Sequence, residues 1–189
     1  MDNESTPGGG SVCSARHAAF LSTSARRLMH NPERILGPFV KPGMKTMDIG
    51  CGPGFFTIPM AKLVGDNGRV IAVDLQQEML DKMAAAAQRA GVLSRISQHL
   101  CSCDAIGVTD TVDFALAFYM VHEVPDVEKL LREVADLVRP GGHLLLVEPK
   151  FHVSGARFLR TLEIACSVGF APVSHPRVFG SRSVLLERT

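Results

Sequence analysis

The thirteen residues Met44-Lys45-Thr46-Met47-Asp48-Ile49-Gly50-Cys51-Gly52-Pro53-Gly54-Phe55-Phe56 constrain the fold more than the rest of the chain. An apolar strand ends near an acid and runs into glycines at three alternate positions. A helix-forming stretch, residues 57–64, follows. Glycines let the backbone turn with positive φ and leave no Cβ between main chain and ligand. The helix behind them offers unpaired N–H groups and the positive end of its dipole. Strand, glycine loop and helix in that order form a nucleotide-type ligand site at the first turn of an open α/β sheet.

The ligand class follows from two positions. A dinucleotide loop of the form G-x-G-x-x-G needs glycine at position 55, where this chain has Phe55. Asp48 stands just before the loop, where a carboxylate favours a cationic ligand and repels a pyrophosphate.

Beyond the loop, strands and helices alternate. Strands are expected at 45–49, 69–74, 96–103, 112–118 and 143–148, with a last pair bracketed by Gly169-Phe170 and residues 182–187. Helices are expected at 55–64, 76–90, 125–138 and from Ser154 to about 168. Asn31-Pro32-Glu33 supplies a cap and a first-turn proline for a short helix ahead of them. Such alternation specifies an α/β fold: a doubly wound, Rossmann-like, mostly parallel sheet with helices on both faces.

At 189 residues, 46% hydrophobic and 21% charged, the chain suits one globular domain. A net charge of +1 gives no general attraction to nucleic acid or anionic membrane. No apolar run approaches the ~20 residues of a membrane helix, and residues 1–11 lack a signal-peptide core. A cytoplasmic protein is the expectation. Cysteines 13, 51, 101, 103 and 166 are odd in number, which favours reduced thiols. No spacing among them fits a usual zinc pair, so no metal is expected. Residues 1–12 read as a disordered tail, 13–43 as a helical lid segment and 44–189 as the ligand-binding domain.

The Asp48–Gly54 loop, with the acid Asp74 closing the second strand, resembles the class I S-adenosylmethionine (SAM)-dependent methyltransferases, in particular the ubiquinone/menaquinone biosynthesis branch (methyltransferase type 11 group). The resemblance implies a seven-stranded sheet with an antiparallel last strand, SAM as cofactor and S-adenosylhomocysteine as product. It implies that Asp48, Gly50, Cys51, Gly52 and Gly54 hold the amino-acid end of SAM. It implies too that Asp74 takes the ribose hydroxyls, as a carboxylate with several lone pairs is able to. By the same resemblance Leu75 packs on the adenine ring, Asp104 and Ala105 meet its polar edge, and Phe118 lines the methionine part.

The segment Phe118-Tyr119-Met120-Val121-His122-Glu123 follows the fourth strand, at the sheet edge where ligands bind. Tyr119 and His122 are the catalytic candidates, His122 first because its ordinary pKa lies near neutrality. Glu123, Glu148 and His152, with Arg16 and His17 from the N-terminal segment, are candidates for contact with the acceptor. The expected partner is a small-molecule methyl acceptor, with no nucleic acid, and with the chain a monomer or homodimer. Three other readings stay open: a SAM-binding sensor or partner subunit without catalysis, a metalloid methylase using Cys13, Cys101 and Cys103, and an NAD(P)-dependent reductase.

Overall fold

A computed structural model describes residues 29–189. The expectations for the tail, for the first part of the lid segment, and for Cys13, Arg16 and His17 lie outside the described residues. Helix α1 (Pro32–Leu36) starts as its sequence requires: the Asn31 side chain accepts the Arg34 N–H and Pro32 fills the first turn. Strand β1 (Lys45–Ile49), helix α2 (Thr57–Val64), strand β2 (Arg69–Asp74) and helix α3 (Gln77–Arg89) follow. The chain continues through β3 (Ile96–Leu100), β4 (Val112–Phe118), α4 (Val127–Leu137) and β5 (Val138–Pro149). It closes with α5 (Gly155–Ser167), β6 (Phe170–Ser174) and β7 (Ser181–Arg188).

The strands form one seven-stranded sheet in the order β3-β2-β1-β4-β5-β7-β6. Pairing is parallel from β3 through β5, and β7 runs antiparallel to both β5 and β6. The antiparallel last strand is therefore as expected.

Side-chain alternation splits the core into two layers. Met47 and Ile49 of β1, Ala115 and Ala117 of β4 and Leu144 and Leu146 of β5 pack with Leu131 and Val134 of α4 and Phe158 of α5. On the other face Phe114, Leu116 and Phe118 of β4 and Val147 of β5 pack with Met60 and Val64 of α2 and Leu80 and Met83 of α3. Leu36 of α1 and Val40 join this second layer, so the described part of the segment expected as a lid shares the core of the sheet.

Two strand boundaries differ from expectation by three residues or more. Strand β3 stops at Leu100 rather than at 103, because it is an edge strand whose one neighbour ends at Asp74, the partner of Leu100. Cys101 N–H still reaches Asp74 O at 3.0 Å, and beyond it no strand remains to pair with. Strand β5 begins at Val138, not 143. Val138 pairs with Val112 and His143 with Phe114, so residues 139–142 bulge out of the ladder.

Candidate active site

The switch point of the sheet lies between β1 and β4, where the chain leaves one half of the sheet for the other. In open α/β sheets ligands bind in the crevice beyond the carboxyl ends of the strands at that point. Here the glycine loop leaves β1 beside the segment leaving β4. A Cβ built on Gly50 would stand 3.1 Å from the Met120 Cβ, so the two segments touch.

Asp48 is buried at the end of β1, and its Oδ2 accepts the hydroxyl of Thr57, the first residue of α2, at 2.6 Å. The acid thus ties strand to helix across the loop. Nine residues separate the pair, and a threonine at the first position of α2 is the sequence signal for it. Gly50, Gly52 and Gly54 all have positive φ, at 70°, 52° and 91°. Gly50 and Cys51 N–H both donate to Val73 O at 2.9 Å, which locks the loop onto β2. A Cβ on Gly52 would meet nothing within 4 Å, so its face of the loop is open to a ligand.

Cys51 is buried, and burial, then the charges of Asp48 and Asp74, push its thiol well above the ordinary range. It contributes backbone and packing rather than a thiolate.

Asp74 closes β2, with Oδ2 accepting the Gly52 N–H at 2.8 Å and Oδ1 the Gln76 N–H at 2.9 Å. One carboxylate therefore holds both the glycine loop and the residue that opens α3. Leu75 next to it is 46% exposed, an apolar side chain beside the loop and available to a flat ring.

Asp104 and Ala105 fall on the irregular segment after β3 instead of at a strand end. The Asp104 side chain is exposed, and the Ala105 N–H donates to Ser102 Oγ at 3.1 Å. Ile106 N–H, bonded to Glu133 Oε2 at 2.7 Å, anchors the segment to α4. Cys101 and Cys103 lie on this same segment, not within the strand expected over 96–103, the former half-buried and the latter exposed.

Phe118 is buried between Phe56 and Tyr119, with ring centroids 4.3 and 4.4 Å away. Tyr119 has φ 62°, the one described non-glycine residue with positive φ. Its hydroxyl lies 2.5 Å from Ser181 Oγ and 3.2 Å from His30 Nε2. His30 Nε2 in turn lies 2.9 Å from Phe179 O. This network joins the ends of β4 and β7 to the segment before α1. The expected catalytic use of the Tyr119 hydroxyl meets a hydroxyl already engaged in support, through partners 89 and 62 residues away that no local pattern announces.

Glu148 also differs from its expected contact with the acceptor. It is 1% exposed: Oε1 accepts the Val121 N–H at 3.0 Å and Oε2 lies 2.5 Å from His122 Nδ1. His122 is thereby oriented by a buried carboxylate. The hydrogen bond to Glu148 raises its pKa above the ordinary histidine range, against the opposing effect of burial. Glu123 is exposed, its Oε1 3.9 Å from His122 Nε2. The exposed His152 ring lies 5.9 Å from the His122 ring and 4.7 Å from that of Phe151. Arg157 of α5, not foreseen, donates to His122 O at 2.8 Å.

Open space over Gly52, a carboxylate at the end of β2 and an exposed Leu75 beside it fit a nucleoside carrying a short charged tail. A family model described as "Methyltransferase domain" matches residues 46–142. The chain belongs to this family, the class I SAM-dependent methyltransferases. It is 30% identical over 112 residues to a demethylmenaquinone methyltransferase of Bacillus cereus, covering 58% of this chain and 46% of that protein. It is 31% identical over 110 residues to a ubiquinone/menaquinone biosynthesis C-methyltransferase of Pasteurella multocida, covering 58% and 41%. The chain thus spans less than half the length of these curated relatives. A SAM-dependent methyltransferase from Aquifex aeolicus superposes with a TM-score of 0.78 at 24% identity, covering 89% of this chain and all of that one. That likeness supports the fold. No described helix is long and apolar enough to cross a membrane.

Proposed function

We propose that the chain catalyses methyl transfer from SAM to a small acceptor bound beside His122. The observation that carries this reading is the contact between Gly50 and Met120. It sets the glycine loop against the segment bearing His122, which is paired with the buried carboxylate of Glu148.

When bound, SAM supplies a methyl group already activated on a sulfonium. The protein's own work is to bind, align and exclude water, and alignment alone is worth ~7–11 kcal/mol of barrier. The loop at Gly50–Gly54 holds the amino-acid end, with Asp48 acting through the loop it ties down. Asp74 takes the ribose hydroxyls on lone pairs beyond those used by Gly52 and Gln76. Leu75 covers one face of the adenine, Asp104 and Ala105 lie at its polar edge, and Phe118 backs the methionine part. His122 faces the acceptor, with Glu123 and His152 beside it. Tyr119 is assigned to support.

The acceptor is a small molecule with an apolar part. The names of the quinone-pathway relatives favour it, and so does Phe151, 76% exposed beside His152. A net charge of +1 gives no general attraction to a polynucleotide. The segment 13–43 would cover this acceptor as a lid, and a cytoplasmic location suits such a reaction.

The test is methyl transfer from labelled SAM to a panel of quinols, phenols and amines, by the wild type and His122→Ala. Turnover lost in the variant, with S-adenosylhomocysteine binding kept, supports the assignment. Full turnover at saturating acceptor removes His122 from the chemistry. A wild type that binds tightly but methylates nothing in the panel favours the sensor reading.

A further inference from the structure

We propose that Glu148 is a positioning residue: it fixes His122 with the ring proton on Nδ1, leaving Nε2 to take a proton from the methyl acceptor. This rests on the methyltransferase reading above and narrows its substrate class. The acceptor must be a nucleophile with a proton to surrender, such as a hydroxyl or an acidic carbon. A thioether or tertiary amine, which has none, has no use for the pair.

The Val121 N–H can only donate, so Glu148 Oε1 must accept from it at 3.0 Å. Oε2 of the same carboxylate lies 2.5 Å from His122 Nδ1 and accepts the proton there. A neutral imidazole has one N–H, so with Nδ1 protonated the lone pair resides on Nε2. The nearest acidic group to Nε2 is Glu123 Oε1, 3.9 Å away and beyond hydrogen-bond length. Arg157 fixes the turn from the other side through His122 O. Carboxylate, imidazole and backbone are held from β5, α5 and the turn after β4 together.

The step balances without a further reagent. The acceptor's X–H bond gives its proton to Nε2 and its electron pair to the new X–CH3 bond, while the old S–CH3 pair stays on sulfur. The imidazolium formed is stabilised by Glu148 and returns its proton to water. Charged and titratable groups facing His122 are Glu148 from β5, Glu123 from its own turn, Arg157 from α5 and His152 from the segment after β5.

Glu148→Gln separates a positioning role from a structural one. Its amide oxygen must stay on the Val121 N–H, which turns the NH2 group toward His122 Nδ1. The neutral ring then carries its proton on Nε2 and cannot accept there. Nitrogen NMR of histidine-labelled protein saturated with S-adenosylhomocysteine reads the tautomer directly. We expect Nδ1–H in the wild type and Nε2–H in Glu148→Gln, with the His122 titration midpoint moved down. Transfer to a panel of phenols and naphthols should fall on the order of 10²-fold in the variant, with partial recovery in Glu148→Asp. An unchanged tautomer and midpoint overturns the proposal, as does an unchanged rate and pH profile. Both results would leave the methyltransferase reading standing if S-adenosylhomocysteine still binds. Failure of the wild type to bind it would instead remove that underlying reading.

Discussion

Asp74 Oδ2 accepts the N–H of Gly52 at 2.8 Å, so the acid that ends β2 is bonded to the glycine loop that follows β1. Its other oxygen holds the Gln76 N–H at the start of α3. One carboxylate therefore sets the spacing of two loops and keeps lone pairs for a ligand's hydroxyls. In Asp74→Asn only one of the two N–H groups finds an acceptor oxygen, and the amide NH2 opposes the other. Stability should fall by about 1–3 kcal/mol. Affinity for S-adenosylhomocysteine should fall at least about tenfold, roughly 1.4 kcal/mol. Calorimetric titration with chemical unfolding checks both numbers.

Gly52 and Gly54 should respond differently to alanine. At Gly54 a Cβ would lie 2.7 Å from Met83 Cγ, inside the second core layer, and φ is 91°. Overpacking there should cost about 1–3 kcal/mol, and Tm should drop by about 2–4 °C for each. At Gly52 the new methyl meets nothing, and only the left-handed backbone costs, about 1–2 kcal/mol. Its effect should fall mainly on ligand affinity. Thermal unfolding of both variants with and without S-adenosylhomocysteine distinguishes them, and equal loss of binding at equal stability would contradict the open face at Gly52.

Tyr119→Phe keeps the ring against Phe118 and loses the hydroxyl bonded to Ser181 and His30. The expected result is a loss of about 1–3 kcal/mol in stability. The transfer rate should stay within about threefold, whereas removing a group that moves a proton costs on the order of 10²–10⁴-fold. Single-turnover kinetics at saturating SAM decides between support and chemistry.

Asp113 gives a pH signature far from the site. Burial opposes its ionisation, but the hydrogen bonds from Arg139 and the Lys45 N–H outweigh it, and its pKa is lowered. A lowered folded-state pKa stabilises the protein above the ordinary carboxylate range, near 4, and that contribution is lost as the pH falls through the folded value. Asp113→Asn should therefore be less stable than wild type at neutral pH, with the gap closing on acidification. Urea midpoints across that range measure it.

The elements that local chemistry decides were legible in sequence. Asn31 with Pro32, Ser154 before α5, and the glycine loop with its flanking acids each stand where propensity and capping place them. What escaped was set by partners distant in the chain. Leu100, Cys101 and Cys103 read as an extension of the third strand, yet β3 stops because β2 ends opposite Leu100. Glu148 carries the same signal as any acid at a strand end. Only the fold shows that it is buried against His122, 26 residues earlier, and that Ser181 and His30 converge on Tyr119.

The central claim is the ligand of the Gly50–Gly54 loop, and thermal unfolding with S-adenosylhomocysteine, NADH and NADPH in parallel tests it most directly. A ligand at 100 times its dissociation constant adds ~2.7 kcal/mol, which for a chain of this size raises Tm by roughly 5–11 °C. The account predicts that shift with S-adenosylhomocysteine and none with either nicotinamide. No shift with S-adenosylhomocysteine, or a shift with a nicotinamide in its place, would contradict it.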